Sequence, residues 1–165
     1  LRPHLIWGPG DPHIFPRIFS KRKKNQLKIV GDGKNLVDII YVDNAAKAHV
    51  QAFEALGEKS AVSGNAYFLG QEKPVYLWDF INDVLARGGE KPVTQKIPFL
   101  LVYQIGHAFE MAYKLLGITH EPPMTRFVCN QLGKDHYFSH AAAKRDFGYN
   151  PEITTEEGLR RTFLS

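Results

Sequence analysis

The sequence predicts an α/β fold, and three observations carry the prediction. A short apolar run, Leu1 to Trp7, is delivered straight into a Gly/Pro loop, Gly8-Pro9-Gly10-Asp11-Pro12. Strand-like runs then alternate with segments of helical periodicity instead of clustering by type. Finally, 165 residues that are 44% hydrophobic and 23% charged are enough to bury a sizeable core, which makes one globular unit the default.

Taken in order, Leu1 to Trp7 reads as a buried strand, and the glycines and prolines behind it as an ordered loop. Ile14, Phe15, Ile18 and Phe19 recur at helical spacing and predict a helix over 14–24. Gln26 to Val30 and Leu36 to Val42 are strand-like. Gly31-Asp32-Gly33 between them supplies the positive φ of a tight turn, so a β-hairpin is expected over about 26–42. Asp43 is placed to cap a helix from Asn44 to about Leu56. A loop over 57–65 leads to a short buried strand, Ala66 to Leu69. Leu77, Phe80, Ile81, Val84 and Leu85 mark the inner face of a helix over 75–87, closed by Gly88 and Gly89.

The stretch from Pro98 to Leu116 is mostly apolar, but Gln104, His107, Glu110 and Lys114 recur on one face, which favours a core or pocket-lining helix and leaves contact with a membrane surface open. Pro122 and Pro123 open a helix reaching about Leu132. Tyr137 and Phe138 are strand-like, and His140 to Phe147 forms a short helix ended by Gly148. Thr154 and Glu157 make a capping box for the last helix, with Leu159 and Phe163 facing in.

Several function classes are disfavoured. The +4 net charge is concentrated in Lys21, Arg22, Lys23 and Lys24, where cations complement a helix C-terminus and no aromatic residues interleave, so nucleic acid is not an expected partner. Cys129 is the only cysteine; an intramolecular disulfide is impossible, and a reducing compartment, the cytoplasm, is inferred. His136 and His140 stand four apart, but the predicted break between strand and helix separates them, so no metal is expected. No zinc-protease, nucleophile-elbow or phosphate-loop motif is present. The chain opens in mid-sheet without a leader or an initiator Met, so a preceding segment is expected.

On physical grounds the loop after Trp7 is the foremost binding element, because ligands of open parallel sheets sit outside the carboxyl ends of the strands; a tight turn that merely needs glycine is the competing explanation. Arg2-Pro3-x-x-x-x-Gly8-Pro9-Gly10-Asp11 resembles the segment after the catalytic helix of extended short-chain dehydrogenases. Val37-Asp38-Ile39-Ile40-Tyr41-Val42-Asp43-Asn44-Ala45-Ala46-x-Ala48-His49 is similar to their next signature. Gly31 to Asn35, Lys144 to Pro151 and Glu156 to Thr162 resemble the 3β-hydroxysteroid dehydrogenase branch. The phrasing around Trp7, Tyr41 and Pro123 to Phe127 leans toward its bacterial members that act on long-chain β-keto acids, beside those that act on sterol carboxylates.

The resemblance implies the C-terminal part of an NAD(P)-binding Rossmann-type doubly wound sheet with a small α+β substrate-binding lobe. The last strands and helix of the sheet would occupy 1–70, and a mainly helical lobe 71–165. It implies NAD or NADP as cofactor, touched by Pro3, His4, Leu5 and Ile6, and a hydrophobic substrate among Trp7, Asp11, His13, Tyr41 and the helix from Pro98. It also implies a glycine-rich loop and a catalytic Tyr-x-x-x-Lys, both expected upstream of Leu1: none of the seven tyrosines here has a lysine four residues on. This chain alone is therefore expected to be inactive. Dimerisation of the whole protein through upstream helices is compatible with the resemblance. The alternatives are a sugar-nucleotide epimerase or dehydratase of the same superfamily and a non-catalytic binding module.

Overall fold

A computed structural model of the chain describes residues 1–57, 60 and 62–164. Residues 58, 59 and 61 of the predicted 57–65 loop, and the C-terminal Ser165, lie outside the described residues. The order of elements is β1 (Arg2–Pro3), β2 (Ile6–Trp7), α1 (Ile14–Lys23), β3 (Ile29–Val30), β4 (Leu36–Val37), β5 (Ile40–Tyr41), α2 (Val42–Ala55), β6 (Phe68–Leu69), β7 (Val75–Tyr76), α3 (Leu77–Arg87), β8 (Lys96–Ile97), α4 (Phe99–Leu115), α5 (Arg126–Gly133), α6 (Ala141–Phe147) and α7 (Thr155–Leu164).

The chain divides into two compact units, and each takes separate stretches of sequence. Leu1–Phe19, Val37–Val75 and Tyr137–Ser165 form the first; Ser20–Leu36 and Tyr76–His136 form the second. The two consecutive lobes expected from the sequence, parting near residue 70, are thus replaced by an interleaved division. The last 29 residues return to the first unit because α6 and α7 carry apolar residues, Ala143, Phe147 and Leu159, that are buried there.

In the first unit β1 pairs with β6 and β2 with β5, both parallel, with Arg2 opposite Phe68 and Ile6 opposite Ile40. The single strand read from Leu1 to Trp7 is broken at Leu5, whose φ is 47°. One core cluster gathers Ile40, Ala45, Ala48, Ala52, Tyr67, Leu69, Phe147 and Tyr149. Burying each large apolar side chain of this kind stabilises by roughly 2 kcal/mol before chain entropy is counted.

The expected 26–42 hairpin does not form. Its turn exists: Asp32 Oδ1 accepts from the Lys34 N–H at 2.9 Å, and Gly33 has φ 79°. However, β3 pairs in parallel with β8, and β5 with β2. Local turn chemistry was satisfied while each flanking run found a better partner far along the chain.

In the second unit α3 buries the predicted inner face, Leu77, Phe80, Ile81, Val84 and Leu85, and also Trp78, which was not expected there, after a start two residues later than expected. Gly106 of α4 comes so close to α5 that a Cβ there would meet the Thr125 carbonyl carbon at 2.8 Å. Thr125 caps α5 by accepting from the Val128 N–H, and Glu110 accepts from the Arg126 backbone N–H and Nε at 2.8 and 2.7 Å. The start of α5 therefore lies three residues past the prolines predicted to open it. The strand expected at Tyr137 and Phe138 is absent; only His136 forms an isolated bridge. Leu100, Leu101, Ile105, Phe109, Leu115 and Leu116 of the α4 region stay exposed, yet among the described residues no helix is long and apolar enough to cross a membrane.

Candidate functional site

The candidate site is the peptide that leaves β2. Gly8 packs closely under Val42: a Cβ there would stand 2.5 Å from Val42 Cγ1, so a side chain would force Val42 to shift. Asp11 then starts α1: Oδ1 accepts from the His13 N–H at 2.8 Å and Oδ2 from the Ile14 and Phe15 N–H groups at 3.0 and 2.9 Å, which occupies the free donors of a helix N-terminus. Its carboxylate is thereby committed to the backbone. His13 is exposed.

Trp7 and Tyr41, read from the sequence as substrate contacts, are each only 1% exposed. Their rings meet edge to face at 5.2 Å, and Trp7 stacks on Phe15, which stacks on Phe163, at 5.9 Å each. Gly158 of α7 lies over this column; a Cβ there would be 2.8 Å from both Trp7 and Tyr41. Burial, and after it the charge of Asp43, holds the Tyr41 phenol above its ordinary pKa, so it stays protonated at neutral pH. These two aromatics are therefore packed in the core of the first unit, directly before the loop and directly before α2. By contrast Pro3, His4 and Leu5 are partly exposed, and Ile6 is 42% exposed, an open apolar edge beside the Leu5 carbonyl, which accepts from the Ile40 N–H at 3.2 Å.

The helix after β5 begins one residue before its predicted cap. Tyr41 is the N-cap and makes no side-chain cap bond; Asp43, expected at the cap, lies in the first turn, where its charge still suits the helix dipole. Asn44 has the larger structural role. Its Nδ2 donates to Gln71 Oε1 and to the Ile153 carbonyl, both at 2.7 Å, and its Oδ1 accepts from the Glu152 and Ile153 N–H groups, both at 3.1 Å. Gln71 Oε1 also accepts from the Tyr41 N–H at 3.2 Å, and Gln71 Nε2 donates to Ile153 O at 2.8 Å. Sequence reasoning passed over Gln71, although a lone glutamine just after a buried strand is the type of residue that satisfies neighbouring backbone.

A second buried polar group also escaped the sequence reading. Asp38 is 1% exposed; its Oδ2 accepts from the Phe138 N–H at 2.7 Å and stands 3.2 Å from His140 Nε2. Phe138 in turn meets His4 edge to face at 5.8 Å. Among the described residues no group of three or more His, Cys, Asp or Glu could hold a metal ion.

Comparison with known proteins places this geometry. The profile of the 3-beta hydroxysteroid dehydrogenase/isomerase family matches residues 1–99. The chain belongs to that family. A 2-alkyl-3-oxoalkanoate reductase of Shewanella oneidensis is 48% identical over 98% of this chain and 42% of its own length. A decarboxylating sterol-4-alpha-carboxylate 3-dehydrogenase of Mus musculus is 30% identical over all of this chain and 46% of that protein. The chain thus spans less than half the length of these relatives. Among solved structures, a UDP-glucuronic acid 4-epimerase from Bacillus cereus in complex with NAD superposes with a TM-score of 0.62 over 99% of this chain and 42% of its own, at 17% identity. At that identity the likeness is one of fold. The family's fold is a Rossmann-type α/β sheet, and β1–β6 and β2–β5 pair in parallel, as the strands of such a sheet do.

Proposed function

We propose that this chain is the C-terminal part of an NAD(P)-dependent oxidoreductase that interconverts a 3-hydroxyl and a 3-ketone on a long-chain β-keto acid or a sterol-like substrate. The observation that carries the reading is the parallel pairing of β2 with β5, which sets the Gly8 to Pro12 loop at the carboxyl end of a strand, the rim where such sheets bind ligands. The 48% identity to a 2-alkyl-3-oxoalkanoate reductase favours the β-keto acid.

The residues present suit a nicotinamide. Pro3, His4, Leu5 and Ile6 offer a partly exposed, mostly apolar edge without a charged side chain, against which a flat, polar-rimmed ring can lie. The bound dinucleotide would supply or accept the hydride. The chain's own contribution is to orient: Trp7 and Tyr41 pack against Gly158 where the loop begins, and Asp11 fixes the start of α1. Asp11 and His13 are the residues of the substrate prediction with surface left to meet a ligand. The proton-transfer residues, a Tyr-x-x-x-Lys pair, would belong to the sequence preceding Leu1. The exposed face of α4 supports two further parts of the reading, an apolar substrate at the lobe and contact of residues 98–116 with a membrane surface. A homodimer of the whole protein completes it.

The test is turnover by the whole protein containing this chain. Oxidation of NADH or NADPH in the presence of a 2-alkyl-3-oxoalkanoate is expected, with none by residues 1–165 alone. Turnover of a nucleotide sugar without any of the β-keto acid would replace this reading by the epimerase one, and saturable micromolar dinucleotide binding by the isolated chain would contradict the division of the cofactor site.

A further inference from the structure

Asp38 lies between β4 and β5, and its second carboxylate oxygen, Oδ1, is buried and meets no hydrogen-bond partner among the described residues. A carboxylate held this way costs stability, since burying a polar atom without a donor is unfavourable. What the residue helps to secure is the stretch of chain between α5 and α6. Tyr137 to His140 has no regular secondary structure, and Tyr137 and Phe138 are 50% and 37% exposed.

Two attachments tie this stretch to Asp38: the Phe138 N–H and the His140 ring. The backbone after β6 closes over the pair; a Cβ on Gly70 would lie 2.5 Å from His140 Cε1 and 3.2 Å from Asp38 Cγ. Tyr149, whose hydroxyl donates to the Gly70 carbonyl at 2.6 Å, holds that backbone down. With its peptide pinned, the Phe138 ring lies flat on Phe68, centroids 4.1 Å apart and planes 4° from parallel, and edge-on to His4. Phe68 is the register partner of Arg2, whose guanidinium sits 5.6 Å over the Phe68 ring. One aromatic ring thus touches both Phe68 of the strand pair and His4 of the partly exposed edge.

We propose that Asp38 is a positioning residue: by holding the Phe138 peptide and the His140 ring it seats Phe138 against His4 and fixes the strand-end wall on which the nicotinamide rests. The inference depends on the function proposed above, and on it Phe138 acts without touching the reacting atoms.

The experiment compares Phe138→Ala, Phe138→Tyr, Asp38→Ala and Val62→Ala in the whole protein. Phe138→Ala and Asp38→Ala are expected to raise KM for the reduced dinucleotide about tenfold while kcat stays within about twofold, the pattern of lost ground-state binding. Phe138→Tyr keeps the ring and the wild-type KM. Val62→Ala, a cavity in the same unit's core, lowers Tm and leaves KM alone. In parallel, the NMR resonances of the His4 ring, shifted by the Phe138 face and edge, move in Phe138→Ala and in Asp38→Ala. Wild-type KM in folded Phe138→Ala, or a KM rise in Val62→Ala as large as in Phe138→Ala, overturns the proposal. If the wild-type protein neither binds nor uses a nicotinamide, the functional reading falls; His4 resonances unmoved by Asp38→Ala would overturn the positioning role in either case.

Discussion

Replacing Asn44 tests whether the Val42-Asp43-Asn44 signature is architectural. Asn44 is 3% exposed and makes four hydrogen bonds, two as donor and two as acceptor. Truncation to alanine does not orphan both sides equally. The oxygens that lose a donor each keep another, Gln71 Oε1 from the Tyr41 N–H and Ile153 O from Gln71 Nε2. The Glu152 and Ile153 N–H groups lose the acceptor that ties residues 152–153 to α2. Two part-buried donors at about 1–3 kcal/mol each, softened by water reaching the Glu152 side, give an expected loss of roughly 2–4 kcal/mol for Asn44→Ala. Asn44→Asp keeps the acceptor for both N–H groups but sets carboxylate oxygens where Nδ2 met two oxygens at 2.7 Å. Burial among acceptors favours the protonated acid, so the introduced carboxyl has a raised folded pKa; the variant is nearest wild type at acid pH and loses stability as pH rises through the carboxylate range. Urea unfolding of the protein at several pH values measures both. An Asn44→Ala protein within about 0.5 kcal/mol of wild type, the usual range for inconsequential surface changes, would refute the reasoning.

Three further outcomes are expected. Gly158→Ala gains about 1 kcal/mol of helix propensity but pushes a methyl into two rings that are each 1% exposed, an overpacking cost of about 1–3 kcal/mol, so the melting temperature falls instead of rising. Tyr149→Phe removes the donor to the Gly70 carbonyl and is expected to cost about 1 kcal/mol in denaturant unfolding; burial, then Asp38 and Glu72, keeps that phenol protonated well past its ordinary range, so the loss is the same at pH 6 and pH 9, on either side of neutrality. Arg160 and then Arg161 hold the Glu157 carboxyl down at about 2, from an ordinary 4.5. A depressed folded pKa gives stability that is present above the unfolded value and lost as pH falls toward 2. Glu157→Gln should therefore be somewhat less stable than wild type at neutral pH, where the ion pairs are intact, and converge on it as pH falls toward 2, which flattens the acid limb of the stability profile.

Much of the helical framework was legible. The inner face of α3, the Gly148 stop of α6, in left-handed φ at 70°, and the Thr154 cap of α7, which accepts from the Glu157 N–H at 3.3 Å, follow from periodicity and end chemistry that act within one turn. Pairing was not legible. The Gly31-Asp32-Gly33 turn is real, but β3 takes a partner 67 residues on, Ile29 opposite Lys96, and no local signal encodes that choice. Nor could spacing reveal that Gly158, an unremarkable glycine inside a well-capped helix, is where two rings press against the helix backbone.

The site residues divide along the same line. Trp7 and Tyr41 stand in the most recognisable signatures, and a large aromatic beside a ligand loop invites a substrate role. In this chain each is 1% exposed and packs in the core of the first unit. The signatures that identify the family are thus largely statements about fold: Gly8 for the approach of Val42, Asn44 for the tether to residues 152–153, Tyr41 and Trp7 for the core packing before the loop. On the function proposed above, the part of substrate choice carried by this chain would rest on exposed surface that these residues hold in place, such as the loop through His13. Exchanging only exposed residues of that surface between relatives should move specificity while leaving the unfolding free energy unchanged, because none of them contributes to the buried column.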